Sequence, residues 1–298
     1  MAQTAHPPRV SYDPRTPNRN QIIQSPENRG NLTYQRMIFG NVSSIFNAAV
    51  DDDFVIKNPC RARSVRAPKK DTPKVVPWTA ERVEAVTDAL PERYKITAIQ
   101  GAGLGLRQGE IFGLSPDDVD FLGRSVAIRR QVRLFTNGSM AFRLPKGGKS
   151  RTVPLPQSVA LALSAHIQKF PPVAVTLPWD TPEGKPLTVE LIVTTPDGKA
   201  LSRNDFNRYV WGPTLEEAKV ERTSRADGMH ALRHYYASVL LDAGESIKAV
   251  SEYLGHTDPG FTLRTYTHLM PSSAERTRKA VDAALSSCAP IVPREAAK

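Results

Sequence analysis

The sequence predicts a mainly α-helical protein with one small antiparallel β-sheet, an α+β class. Three observations carry that expectation. Apolar residues recur at steps of three and four through most of the chain, as amphipathic helices require. The middle differs: strand-like runs at Ser125 to Leu134 and Ser139 to Leu144 flank Asn137-Gly138, the dipeptide that favours a tight hairpin turn. Hydrophobic residues make up 40% and charged residues 23% of 298 residues, which is enough for one substantial core.

Residues 1–30 are rich in Pro, Asn, Arg and Gln and are expected to form a flexible arm. A helix is expected from Leu32, with Ile38, Val42, Ile45, Phe46 and Ala49 along it, and Asn58-Pro59 ends it. Arg61, Arg63, Arg66, Lys69 and Lys70 then form a basic run, which suits a solvated hinge or a DNA contact. Pro73 and Pro77 follow, and residues 71–77 are assigned as linker. The second unit opens at Trp78, where Thr79 can cap a helix carrying Val83, Val86 and Leu90.

A helix from Tyr94 to Ala102 leads into Gly101-Ala-Gly-Leu-Gly105. Those glycines follow a helical stretch, not a strand, so they are not a dinucleotide loop. Lys146-Gly-Gly-Lys149 turns the chain before Arg151-Thr-Val-Pro-Leu155, which completes the single sheet. Helices are expected at Ser158 to Phe170, Arg203 to Lys219, Met229 to Ala243, Ile247 to Leu254 and Ser273 to Leu285. A second hairpin is expected around Asp197-Gly198.

The formal charge of +10 and pI of about 9.7 suit a polyanionic partner, nucleic acid ahead of membrane, or simply a basic soluble protein. Cys60 and Cys288 have no metal-ligand spacing around them and make no disulfide framework. The N-terminus lacks the basic and apolar regions of a signal peptide, and no apolar run approaches the roughly 18 residues that span a membrane. A soluble cytoplasmic protein with no membrane partner is expected.

Three short segments carry chemistry. Within Met229-His-Ala-Leu-Arg-His234, His230 and Arg233 lie three apart and share a helix face. Arginine suits phosphate because its planar fork donates two parallel hydrogen bonds. By itself the pair is a weak signal and better suits two solvated surface groups. His230 and His234 have the spacing of a zinc helix, but no Glu follows His230 and no third ligand is evident, so no metal site is expected. Arg107 follows the glycine-rich bend, and Glu110 stands three residues on, able to orient it. Leu254-Gly255-His256 ends a helix, and Tyr266 lies ten residues beyond His256.

Taken together, Gly105-Leu-Arg107-Gln-Gly-Glu110, His230-Ala-Leu-Arg233, Leu254-Gly-His256 and Tyr266 resemble the ordered signature of the tyrosine recombinase, or phage integrase, family. Lys146 ahead of Arg151 resembles that family's hairpin lysine. The resemblance implies a catalytic domain over residues 78–286 and a tail at 287–298. It also implies a partial core-binding, DNA-clamping domain at 31–70, with one long helix where the family has about four.

The resemblance further implies strand cleavage by Tyr266 through a 3′-phosphotyrosyl link, with no cofactor. Arg107, Arg233, His230 and His256 would hold the phosphate, and His230 is the candidate to take the Tyr266 proton. Lys146 would protonate the leaving oxygen, with Lys149 as its rival, and Glu110 would buttress. Arg61, Arg63, Arg66, Lys69, Lys70, Lys149 and Arg151 are candidate DNA contacts. The implied partners are double-stranded attachment sites of a mobile element, a homotetramer on DNA, and accessory bending or directionality proteins. A type IB topoisomerase, a DNA-binding protein without turnover and a metal-dependent nuclease are the rival classes.

Overall fold

The computed structural model describes residues 32–68, 75–221, 227–256 and 258–266, with isolated positions at 278, 281 and 282. The chain divides into two compact units, Met1–Pro73 and Lys74–Lys298. The expected arm, the tail, Lys69 and Lys70 lie outside the described residues. So does the expected helix Ser273 to Leu285, apart from the helical positions 278, 281 and 282.

In the first unit, helix α1 (Leu32–Asp51) is followed by a 3₁₀ turn at Pro59–Arg61. Asn58 joins the two. Its side-chain oxygen caps the turn by accepting from the Cys60 backbone N at 2.8 Å, and its amide donates to Asn47 Oδ1 at 2.8 Å. Arg61, Arg63 and Arg66 are exposed on this unit.

The second unit starts with α2 (Ala80–Ala89), capped by Thr79 as the sequence predicts. Next come α3 (Lys95–Leu104) and the short α4 (Gln108–Phe112). Three small antiparallel sheets follow in place of the expected one. Strands β1 (Val119–Asp120), β2 (Ser125–Ile128) and β5 (Arg151–Pro154) form the first, with β2 central. Strands β3 (Gln131–Leu134) and β4 (Met140–Arg143) form a separate hairpin closed at Asn137-Gly138, where Gly138 takes φ +86°.

The run from Ser125 to Leu134 divides between two sheets, β2 ending at Ile128 and β3 starting at Gln131, and Arg130 between them turns inward. It donates to the buried Asp118 carboxylate at 2.6 and 3.1 Å. The third sheet pairs β6 (Val173–Pro178) with β7 (Pro186–Leu191). The second hairpin therefore precedes Asp197-Gly198, which makes only a local turn closed by Thr195 N to Lys199 O at 2.9 Å.

Helix α5 (Gln157–Lys169) packs beside α3. Then α6 (Arg203–Phe206), a π-turn at Asn207–Trp211 and α7 (Gly212–Glu217) occupy the stretch expected as one helix. Helices α8 (His230–Asp242), α9 (Ile247–Leu254) and α10 (Pro259–Tyr266) complete the described fold. Among the described residues, no helix is long and apolar enough to cross a membrane.

The core sits where α3 lies against α8. A Cβ at Gly101 would meet Leu232 at 3.0 Å, so the glycine sets this close approach. At Gly105 (φ +64°) a Cβ would strike the Tyr236 ring at 2.4 Å. The expected glycine-rich bend is thus a packing device. It ends α3 in the left-handed conformation and delivers its carbonyl to the site described next.

Candidate functional site

Glu110 is the electrostatic centre of the site. The α4 turn buries it completely, at 0% exposure. Its carboxylate receives both Arg151 terminal nitrogens, at 2.9 and 2.7 Å, and Arg107 Nη1 at 2.9 Å. It also accepts from the Arg107 backbone N at 2.9 Å, which fixes the start of α4. Burial alone would raise the carboxyl's pKa. The Arg151 hydrogen bonds and charge, with Arg107 and Arg233, instead hold it at about 2.

Arg151 departs from its expected place. Its side chain is only 6% exposed, and its Nε donates to Tyr253 O at 2.7 Å. Its guanidinium is spent inside the protein, bracing Glu110 against the end of α9. Each of its three nitrogens has an internal acceptor, so the side chain faces inward where the sequence suggests an outward contact.

Arg233 is fully buried on α8. It donates to Gly105 O at 2.6 Å, to Leu254 O, and towards His256 Nε2 at 3.2 Å. A guanidinium has only donors, so His256 Nε2 must accept. The His256 proton then sits on Nδ1, which donates to Thr262 Oγ1 at 2.7 Å. Burial, then the charges of Arg233, Arg107 and Arg151, lower the His256 imidazole to about 3, so it is neutral near pH 7. Among the described residues, Arg233 Nε is buried with no hydrogen-bond partner.

The hinge between α9 and α10 brings these groups together. Gly255 closes α9 at φ +61°, and its carbonyl accepts from Arg107 Nη2 at 3.3 Å. A Cβ there would meet Arg151 Cδ at 2.9 Å, in a conformation that L side chains avoid. One turn separates Thr262 from Tyr266 on α10, so both face inward. Tyr266 is 1% exposed, and its hydroxyl lies 2.6 Å from His234 Nδ1. Burial pushes the phenol up to about 12, against the opposing charges of Arg233 and Arg107.

Arg107, Lys146 and His230 line one open groove of about 1040 Å³, together with Gln108, Arg133, Arg143, Arg203 and Asn204. Lys146 is exposed in the turn after β4. Lys149 is exposed too but is not among the groove's lining residues. His230 meets the groove on one side and the His234 ring on the other, edge to face, with centroids 4.6 Å apart. Thus Arg107, Glu110, His230, Arg233, His256 and Tyr266 converge, and Lys146 lines the groove that Arg107 and His230 reach. Arg61, Arg63 and Arg66 belong to the first unit.

Sequence inspection gave His234 no role in the site, weighing it only as a zinc ligand beside His230. The available signal was its position directly after Arg233, on the helix turn following His230. Among the described residues, no group of three or more His, Cys, Asp or Glu could hold a metal ion.

Such a fold, with a buried tyrosine hydroxyl beside arginines and histidines, defines a class found among known proteins. The phage integrase family model matches residues 78–272, and the chain belongs to that family, the tyrosine recombinases. A tyrosine recombinase XerC-like protein of Caldanaerobacter subterraneus subsp. tengcongensis is 30% identical over 249 residues, covering 77% of this chain and 61% of that protein. The integrase of Mycobacterium phage L5 is 25% identical over 238 residues, covering 79% and 59%. The chain therefore spans about three fifths of the length of these relatives.

Among solved structures, the fold is shared with the Tn1549 transposon integrase in complex with a circular intermediate DNA. The TM-score is 0.66 at 20% identity, covering 87% of this chain and 81% of that one. A lambda integrase dimer bound to a COC′ core site gives a TM-score of 0.59 at 15% identity, covering 83% and 77%.

Proposed function

We propose that the chain cuts and rejoins double-stranded DNA at specific sites, using Tyr266 as the nucleophile. One observation carries this reading: the buried Tyr266 hydroxyl is held 2.6 Å from His234 on the helix that also carries His230 and the buried Arg233. Beside it, Arg233 Nε–H lacks an acceptor among the described residues, which suits a missing phosphate oxygen.

The scissile phosphate enters along the groove of Arg107, Lys146 and His230. Tyr266 attacks phosphorus, forming a 3′-phosphotyrosyl bond and releasing a 5′-hydroxyl. The covalent link conserves the phosphodiester energy for rejoining, so no ATP is consumed. Arg107 and Arg233 donate to the non-bridging oxygens as negative charge builds, with His230 as a further donor, while His256 accepts from Arg233 and holds that guanidinium in place. Lys146 gives a proton to the leaving oxygen. Glu110 and Arg151 keep the arginines aimed without touching DNA.

In this reading the substrates are the attachment sites of a mobile element, with four protomers on two duplexes. The first unit, with Arg61, Arg63 and Arg66 exposed, adds sequence-independent phosphate contacts. The test is incubation with a nicked suicide duplex carrying the attachment site, in EDTA, followed by denaturing electrophoresis. A covalent adduct is expected, absent from Tyr266→Phe. An adduct that persists in Tyr266→Phe overturns the nucleophile.

A further inference from the structure

The Tyr266 hydroxyl has one hydrogen-bond partner among the described residues, and it is neither of the histidines in the family-like motif. His256 is occupied by Thr262 and Arg233. His230 presents its ring to His234 and to the groove. His234 Nδ1 stands 2.6 Å from the phenolic oxygen, with the two rings tilted at 56°. Helix α8 sets this up: His230 and His234 are one turn apart, with Arg233 between them turned into the core.

We propose that His234, not His230, is the base that takes the Tyr266 proton during strand cleavage. The assignment rests on Tyr266 being the nucleophile, as proposed above. In the DNA-free protein the proton stays on oxygen. Burial, with the charge of Arg233, lowers the His234 imidazole to about 4, and burial raises the phenol to about 12. The hydroxyl therefore donates and the neutral Nδ1 accepts, leaving an oxygen lone pair free for phosphorus.

As the new O–P bond forms, the phenolic oxygen ceases to hold its proton, and the bonded lone pair of Nδ1 receives it. The arriving phosphate carries negative charge into the same cluster and stabilises the imidazolium. The balance is closed. The Tyr266 O–H bond breaks and its proton goes to His234. The O–P bond forms, the P–O5′ bond breaks, and the 5′-oxygen takes a proton from Lys146. Rejoining reverses each transfer: the 5′-hydroxyl returns a proton to Lys146, and His234 returns one to the phenolate.

The experiment measures single-turnover adduct formation by the full chain on saturating suicide DNA, for His234→Ala and His234→Asn. Asparagine can accept the same hydrogen bond but cannot take the proton. Both variants are expected to slow by about 100-fold or more, with unchanged DNA affinity. His234→Asn close to wild type would overturn the proposal, reducing His234 to a hydrogen-bond acceptor that positions Tyr266. If His234→Ala does not melt cooperatively, the near-isosteric His234→Asn decides.

A second arm replaces the 5′-bridging oxygen by sulfur, whose thiolate leaves without a proton. That substrate is expected to rescue Lys146→Ala and not His234→Asn. Equal rescue of both would mean that His234 serves the leaving group, which also overturns the proposal. Tyr266→Phe runs alongside: an adduct there breaks the nucleophile assignment itself, a failure distinguishable from that of His234.

Discussion

The two sides of the site are built in opposite ways. On one, Glu110, Arg151, Arg233, His256 and Tyr266 are held in low-dielectric surroundings, each with a named partner. On the other, Lys146 and its neighbouring glycines stand in an exposed turn closed by a single backbone bond, Gly148 N to Pro145 O at 2.9 Å. Arg107 belongs to both: it is tied to Glu110 and Gly255 yet lines the groove. The contrast matches the demands proposed for each side. Bond formation at Tyr266 requires fixed atoms, whereas the leaving-group side has to receive a duplex.

If this division is right, substitutions in the buried side change stability and chemistry together, and those in the open turn change chemistry alone. The largest effect belongs to Glu110→Ala, which strands Arg151 and Arg107 without their counter-charge. Removing one partner from a buried ion pair costs about 3–5 kcal/mol, so the urea midpoint should drop steeply and adduct formation with it. A Glu110→Ala protein of native stability would break the comparison outright.

Next is Lys146→Ala, where cleavage should fall by about 100-fold while the melting temperature stays put. Lys149→Ala, outside the groove, serves as the control and should cleave at close to the wild-type rate. If Lys149→Ala proves the slower of the two, the roles of the lysines exchange.

Gly255→Ala should be milder, at about 1–2 kcal/mol, because it strains a left-handed residue and presses on Arg151. Its cleavage loss should exceed what unfolding explains, since the Gly255 carbonyl holds Arg107.

A further effect is one of pH. Unfolded, the imidazoles of His234 and His256 titrate near 6.5; folded, they sit at about 4 and 3. Below 6.5 the unfolded chain binds more protons, so stability is complete above that pH and declines as pH falls towards 4 and then 3. Urea midpoints measured from pH 7.5 to 4.5 should show this slope, shallower in His234→Asn. A flat profile would mean that the two rings are less sequestered than their partners imply.

Much of the local structure was legible in advance. The Thr79 cap, the Asn137-Gly138 turn, the Gly255 helix end and the span of α9 all follow from short-range rules of capping, turn chemistry and periodicity. The single expected sheet failed at Arg129-Arg130, where an apparently continuous strand divides between two sheets and Arg130 pairs with Asp118, twelve residues earlier in the chain. Helix α10 passed unnoticed because its apolar pattern is short and interrupted by Gly260 and Arg264.

By itself the sequence determined which groups could act. His230 and Arg233 share a face because a helix repeats every 3.6 residues, and Gly255 stops a helix because it adopts φ above zero cheaply. Only the tertiary structure decided what those groups touch. The pairs that organise the site are distant along the chain: Glu110 with Arg151, Arg233 with the Gly105 carbonyl, and His234 with Tyr266 are separated by 41, 128 and 32 positions. Such partners are chosen by how helices pack and by the cost of leaving a buried charge unpaired, neither of which leaves a periodic mark in sequence. That is why the motif made Tyr266 legible, while the histidine against its hydroxyl came into view only in the folded chain.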